Sequence, residues 1–520
     1  MRATVSGGFT NTASSSYATV GGGQNNTASG SHAIVGGGED NTATNTYSTV
    51  GGGDRNDATG LSSTIGGGVN NQVDGDKSVV AGGQSNNIDS NSVLTTIGGG
   101  NGNQTQSSYG FVGGGKSNTI FEGDYHTIAG GQSNVAGNNG GTDSHATIGG
   151  GFDNYARASY STIAGGNNNE INDVAADYGF IGGGLSNRIT TNTHATVAGG
   201  NSNTASGAQS SVVGGNNNNA SGDDSFIGGG NGNTSGGSQS TVSGGSSNEA
   251  LGVHSTVSGG FTNRATVDFA TVGGGNTNLA SGEYSVIAGG HDNEATAQYA
   301  TVGGGKTNNV TEIRSVIAGG INNRATGSRS TVGGGDYVRA TGDYSTASGG
   351  RTNVSSGDYS SISGGWRAIA SRYGQFAHSS GRFIDDGDAQ YSRYIARTAT
   401  TDATANVELF LDGTAGSNRI TIPEDTALQF HIYIISIKQT GDKAKSSEIT
   451  GLIRRANGGN ATIVAQHTDT NKTFEDASFS PSYTVSADTS NQALKIDVTG
   501  LATTNINHVA RVDITEVKYA

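Results

Sequence analysis

The sequence predicts an all-β chain: a parallel β-roll, or β-solenoid, of about 24 fifteen-residue coils, followed by a C-terminal antiparallel β-sandwich of jelly-roll type. Three observations predict it. Glycine supplies 90 of 520 residues, against 2 prolines and 13 % charged residues; about 7 % glycine and 25 % charge are usual. A Val or Ile followed by a glycine pair recurs 24 times at near-constant spacing. Beyond residue 366 that pattern stops, and alternating apolar runs separated by turn residues replace it.

Other glycine-rich architectures are excluded in turn. Glycine does not fall at every third residue, and Pro423 and Pro481 both lie near the C-terminus, so the chain is not collagen. Before residue 366 there are five leucines, one methionine and three lysines, too few strong helix formers for a bundle. A disordered chain has no reason to keep register, whereas here 16 of 23 spacings between repeats are 15 residues. With no cysteine there is no disulfide framework, thiolate metal site or cysteine nucleophile. The net charge is −14, which argues against nucleic acid as a partner. No apolar run approaches the length of a membrane span, so no membrane insertion is expected. The start, Met1-Arg2-Ala3-Thr4-Val5-Ser6-Gly7-Gly8, has no signal-peptide pattern and already lies inside the repeat.

One unit reads Ala18-Thr19-Val20-Gly21-Gly22-Gly23, then Asn26, Ala28 and Gly30. Alternation in the two short strands points Ala18 and Val20 inward with Thr19 outward, and Asn26 and Ala28 inward with Thr27 outward. Glycines turn the corners between them. The repeat runs from Val5 to Ile362, with Val213 as one of its members and Ala347 as the small one. Stacked at about 4.8 Å per coil, 24 coils would give a rod on the order of 110 Å. A buried amide is costly alone, but stacked amides can donate and accept between successive coils. Asn26, Asn41, Asn56, Asn71, Asn263, Asn278 and Asn293 are therefore expected to form a structural ladder, and Val338 and Ala368 interrupt the column. The repeated Val-Gly-Gly-Gly is not a phosphate loop, which needs a following helix and a Lys-Ser/Thr pair.

Two outward columns carry further information. The residue before each Val or Ile is Thr in 15 coils and apolar in eight, among them Ile34, Phe111, Phe180, Phe226 and Val286. So small a coil buries little, and a half-apolar face suggests packing against other copies, most simply in a homotrimer. Three residues before the Val or Ile stands an aromatic or His in 15 coils, including Tyr17, Tyr47, Tyr109, Tyr160, Tyr299 and Tyr359. Two readings stay open: corner stacking, or a sugar-binding ridge. Register slips cluster between Val80 and Ile227, with insertions around Asn87–Ser92, Asn138–Asp143 and Asn172–Ala176. These are side loops, on a binding face or of neutral origin.

The small–x–Val/Ile–Gly…Asn–x–Ala–x–Gly coil resembles the left-handed β-roll head of trimeric autotransporter adhesins over residues 1–365. The resemblance implies a homotrimer. Those adhesins add a signal peptide, a coiled-coil stalk and a membrane-barrel anchor, which are not found here, and their repeat is tighter. The segment Trp366–Phe383 reads as a cap for the open end of the roll. Together with Asp388-Ala389-Gln390-Tyr391-Ser392-Arg393-Tyr394 it resembles the junction before the terminal domain of bacteriophage tail-fibre proteins. The expected organisation is a shaft at 1–365, a neck or cap at 366–388 and a sandwich tip at 389–520.

Eight tip strands are expected: Val407–Leu411, Arg419–Ile422, Leu428–Lys438, Glu448–Arg455, Ala461–Gln466, Ser482–Ala487, Ala493–Val498 and Val509–Val517. Loop residues Arg454, Arg455, His467, Asp469 and Lys472 are candidate contacts for saccharide hydroxyls or phosphates; an ordinary solvated surface is the alternative. The run Asp385-Asp386-Gly387-Asp388 reads as a hinge or weak cation site. Acids are scattered rather than paired in the manner of glycoside hydrolases, so no catalytic residue, metal or cofactor is expected, and the chain is expected not to be an enzyme. An ice-binding face is discounted, because the Thr rank is broken by apolar residues.

What these resemblances imply is a receptor-binding tail fibre on a virion or phage-like contractile particle. Its expected partners are tail or baseplate proteins and a host surface polysaccharide or lipopolysaccharide. A bacterial surface adhesin is the alternative, and a polysaccharide-degrading tailspike comes third.

Overall fold

The computed structural model describes residues 2–172, 175–414, 416, 418–469 and 478–519. Among them there is no helix, and hence none long and apolar enough to cross a membrane. The chain forms two compact units, one ending at Thr262 and one beginning at Asn263.

In the first unit each coil contributes two two-residue strands, such as Thr19–Val20 and Thr27–Ala28. Each pairs in parallel with its counterpart one coil on: Val20 with Val35, Ala28 with Ala43. Ala18, Val20, Asn26 and Ala28 are fully buried, with Thr19 and Thr27 between them facing outward. The glycine corners follow from close approach. Gly23 has φ +95°, and a Cβ there would stand 2.1 Å from the carbonyl oxygen of Gly38 in the next coil. One position departs from the sequence expectation. Val212, not Val213, takes the inward seat, in register with Val197 and Ile227, and Val213 is 52 % exposed. Counting from the glycine pair misleads here, because Val213 occupies the first corner position that Gly, Ala or Ser fills elsewhere. A one-residue slip would turn every inward side chain outward, so the fold keeps the fifteen-residue spacing.

The asparagine column does more than stack. Asn41 Oδ1 accepts from both the backbone N–H and the Nδ2 of Asn56, each at 3.0 Å. Asn41 Nδ2 donates to Gly37 O (3.0 Å) in its own corner and to Gly53 O (2.8 Å) in the next. Asn26, Asn56 and Asn71 repeat this set, as do Asn278 and Asn293 in the second unit. Asn263 Nδ2 donates to Gly275 O, and its Oδ1 accepts from Asn278 N. Each amide thus satisfies corner carbonyls that would otherwise be buried without a donor. At Val338 the amide is absent, yet the backbone N–H still donates to Asn323 Oδ1 at 2.8 Å.

The second unit by itself is also a solenoid, with strands from Arg264–Ala265 onward and one coil past Ile362. Ile369–Ala370 and Phe376–Ser380 pair in parallel with Val354–Ser355 and Ser361–Trp366. Phe376–Ser380 then pairs antiparallel with Ala389–Thr400, so one ladder of the roll becomes the edge of a sheet. The other ladder ends at Ile369, whose backbone N–H and C=O are met by the Gln390 amide at 3.0 and 2.9 Å. Gln390 thereby stands in for the missing peptide group. Beside it the buried Arg372 donates to Tyr394 Oη (2.8 Å) and Thr421 O (2.6 Å) and lies 3.8 Å from Glu516. The acidic run is used structurally. Asp388 accepts the backbone N–H groups of Phe383, Ile384 and Asp385, while Asp386 pairs with Arg367 and Arg382. Burial works against the Asp388 carboxylate, but those three N–H donors hold its pKa below the usual range.

Two antiparallel sheets follow. The first has the order Ala389–Thr400, Ile506–Lys518, Thr426–Lys438, Ala444–Arg455, Thr462–Asp469. The second sets Val407–Glu408, Ile420–Thr421 and Ser482–Asp488 against Ala493–Thr499. One core joins them, including Tyr394, Phe430, Ile432, Ile449, Val512 and Ile514 from the first sheet and Leu494, Ile496 and Val498 from the second. Each large apolar side chain buried there is worth about 1.5–3 kcal/mol. Gly451 is required by this packing, because a Cβ would meet the Phe430 ring at 2.3 Å. The strand Ala389–Thr400 was not expected. Its inward positions Gln390, Ser392, Tyr394 and Ala396 are mostly polar or small, so no apolar alternation announces it.

Three outcomes are expected. Asn71→Val should cost about 1–3 kcal/mol through lost donors. Asn71→Asp should cost more at pH 7, because its carboxylate would face Asn56 Oδ1, Gly67 O and Gly83 O; acidification to about pH 4, near the carboxyl pKa, should restore part of the loss. Thermal melts of both variants at the two pH values check this, and equal losses would contradict it. Gln390→Leu should lower the stability of the second unit by about 1–3 kcal/mol in denaturant titrations. The third outcome concerns His508, which is buried between Ser436 and Thr400 hydroxyls and has its pKa pushed down by burial to about 4. An unfolded histidine titrates near pH 6.5, so the stability held above that pH is lost as pH falls from 6.5 towards 4. About 2 kcal/mol should disappear between pH 7 and 5, and His508→Gln should flatten the profile.

Candidate functional site

In the five-stranded sheet every second residue points away from the core. Pairing aligns Arg393, Asp513, His431, Thr450 and His467 in one row across all five strands. The next row is Ile395, Arg511, Tyr433, Glu448 and Asp469. Asp513 Oδ1 accepts from Tyr391 Oη (2.8 Å) and Arg393 Nε (2.6 Å), and Oδ2 lies 3.2 Å from Arg511 Nε. Partial burial opposes ionisation of Asp513, but the bonds from Arg393 and Tyr391 hold its pKa below the usual carboxylate range. The Arg511 guanidinium lies 4.0 Å over the Tyr433 ring. Tyr433 Oη is 3.0 Å from His431 Nδ1, and His431 Nε2 meets Glu448.

These contacts fix guanidinium, carboxylate, phenol and imidazole groups on one open surface. Beside them lies a depression of about 470 Å³ lined by Gln429, Thr450, Leu452 and His467, among others. Such a surface can exchange hydrogen bonds with many hydroxyls while Ile395 and Ile435, both exposed, supply an apolar shoulder. Oriented donors and acceptors around a shallow depression suit an extended polyhydroxylated ligand.

The residues expected from the sequence are dispersed. Arg454 is exposed opposite Thr462, and His467 lies opposite Thr450, so the two stand at different ends of the same strand pair, roughly 16 Å apart along the chain direction. Arg455 is engaged: its guanidinium donates to Gly459 O, Ile422 O and Glu424. Asp469 pairs across from Glu448. Lys472 lies outside the described residues. Only His467 and the Asp469 backbone fall in the two rows above. Tyr391, Arg393, His431, Tyr433, Glu448, Arg511 and Asp513 were missed. The outward partners of the alternation in Gln429/His431/Tyr433 and Arg511/Asp513 were a usable signal; their cross-strand register was not.

In the solenoid the aromatic column is a stack. Tyr109, Tyr125, His145, Tyr160, Tyr178 and His194 lie face to face at 4.6–4.9 Å. Their backbones are left-handed, with φ near +60°, a conformation that costs bulky residues energy and that the stacking helps offset. Ring faces cover one another, so edges and hydroxyls point outward, which favours corner stacking over a sugar platform. Outward apolar residues occupy two columns, not one. Besides Ile34, Phe111, Phe180 and Phe226, a bridge column exposes Phe9 (68 %), Phe152 and Phe261 in the first unit and Ile321 in the second.

No protein-family profile and no curated protein matches the chain. Among solved structures, one similar chain is the tailspike protein gp49 of Acinetobacter baumannii bacteriophage Fri1, a capsular polysaccharide depolymerase. It has 9 % identity and a TM-score of 0.19, covering 94 % of this chain and 79 % of that one. Another is the Acinetobacter baumannii phage AM24 tailspike protein, with 9 % identity and a TM-score of 0.15, covering 90 % and 78 %. These neighbours correct the expectation of a non-enzyme, since the first is itself a polymer-cutting enzyme, and that expectation is withdrawn.

Proposed function

We propose that the chain is a homotrimeric receptor-binding tail protein of a phage or phage-like contractile particle, carried on the virion and attaching it to a bacterial surface glycan. The observation that carries the reading is the open face of the five-stranded sheet, where Arg393, Asp513, Arg511, Tyr433, His431 and Glu448 are pre-oriented by one another beside a shallow depression. Groups ordered in advance lose little entropy on binding, and three copies would multiply a weak site affinity. The two outward apolar columns of the solenoid support packing between copies. The resemblance of residues 366–394 to the junction of phage tail-fibre proteins supports the particle assignment.

The test is adsorption of the full-length chain to panels of whole bacteria and to their purified surface polysaccharides. Binding to at least one glycan is expected, with Arg393→Ala/Arg511→Ala weakening it by about tenfold or more through loss of charge-assisted contacts. Reducing ends released in the same assay report whether the bound polymer is also cut, as the Fri1 tailspike's description implies for that protein. Absence of binding to every surface glycan would sink the reading.

A further inference from the structure

We propose that a cleft on the solenoid of the second unit, built on Arg324, Arg339 and Tyr337, binds a carboxylate-bearing sugar of the recognised glycan; this rests on the glycan-binding reading above. Arg324 and Arg339 hold the same outward position of consecutive coils and pair directly in the parallel ladder, which sets their backbones roughly 5 Å apart. Like charges placed directly opposite are destabilising. Among the described residues neither guanidinium has a carboxylate within ion-pair distance. At one other place in this column a charge is matched: Glu170 meets Arg188 of the next coil (3.2 Å) and also Arg157 (3.4 Å). The nearest acid along the column, Glu294, is two coils from Arg324 and is held by Asn309 Nδ2 at 2.6 Å. An unmatched cationic pair on a chain of net charge −14 is complementary to an anion supplied from outside.

The rest of the cleft suits a sugar. It has a volume of about 290 Å³ and is lined by both arginines, Tyr337, Asp292 and Glu294, among others. Tyr337 is 50 % exposed and, among the described residues, belongs to no ring stack. No other ring covers its face, unlike those of the stacked column, which leaves it a candidate contact for sugar C–H groups. A guanidinium fork binds a carboxylate through two parallel hydrogen bonds, and Asp292 and Glu294 can accept hydroxyl protons. The charge is not imposed by the coil. In the comparable cleft of the first unit, about 310 Å³, the column of the two arginines holds Thr42, Asp57 and Gln72 instead, and the column of Tyr337 holds Asp40, Arg55 and Asn70, with Arg55 paired with Asp54 at 2.9 Å.

The test uses the full-length chain, with polygalacturonate as probe and its fully methyl-esterified form as the neutral analogue. The wild type should bind the acid form about tenfold or more tightly, an effect that fades with salt. R324Q/R339Q should lose that preference while its melting temperature at low salt stays equal or rises. Equal binding of the two polymers by the wild type, or an unchanged preference in R324Q/R339Q, overturns the proposal. So does a lower melting temperature, which would mean that the arginines neutralise acids within an assembly. Adsorption of the wild type to whole cells, measured alongside, separates the two levels. Adsorption without acid preference removes only this subsite, and absence of adsorption removes the glycan-binding reading itself.

Discussion

Each polar corner of the solenoid is closed by the coil that follows it. A fifteen-residue coil has a narrow interior filled mostly by Ala, Ser, Val, Ile and Asn, so hydrophobic burial per coil is small. The glycine turns bring carbonyl groups inside, where an unmet acceptor costs about 1–3 kcal/mol. The asparagine amide answers that cost twice, donating to its own corner and to the next, and offering its oxygen to the following backbone N–H. The constraint is directional and exact in spacing, and from it follow the glycine triplets, the tolerance of side-loop insertions such as that between Ile128 and Ile148, and the retention of register at Val212. Val338 shows the limit of tolerance: one amide can be lost while the backbone N–H keeps its partner.

A repeating ladder has to end somewhere, and in the second unit the two ladders end differently. One passes from parallel to antiparallel pairing along Phe376–Ser380, so its edge groups find a sheet. The other ends on a side chain, the Gln390 amide, because no further strand is available at Ile369. Arg372, Tyr394, Thr421 and Glu516 surround that junction with buried polar contacts. A buried charge of this kind is strongly destabilising if its partner is removed, so the junction is specified by hydrogen bonding as much as by apolar packing.

The open face of the tip sheet was only half legible. Alternation in Leu428, Phe430, Ile432 and Ile434 identifies the buried side, and by exclusion the outward His431 and Tyr433. Nothing in the linear order places Arg393 beside Asp513, about 120 residues later, or His431 beside Glu448. Loop position and charge instead drew attention to Arg454 and Arg455, and Arg455 turns out to be held by Glu424 and two carbonyls. The cationic pair Arg324 and Arg339 was visible as two residues fifteen apart, yet their lack of partners could be known only once the neighbouring side chains were in place.

Taken alone, the sequence determined the period, the identity of each column, the inward Asn and Val/Ile positions and nearly all tip strands. Those features repeat or alternate locally, and local chemistry carries them. Tertiary structure alone decided which of Val212 and Val213 is buried, that the polar strand Ala389–Thr400 joins the roll to the sheet, and that the aromatic rings cover one another's faces. Each of these depends on pairing between segments distant in sequence, where loop geometry and the satisfaction of every backbone group select one register among several that the linear pattern would allow.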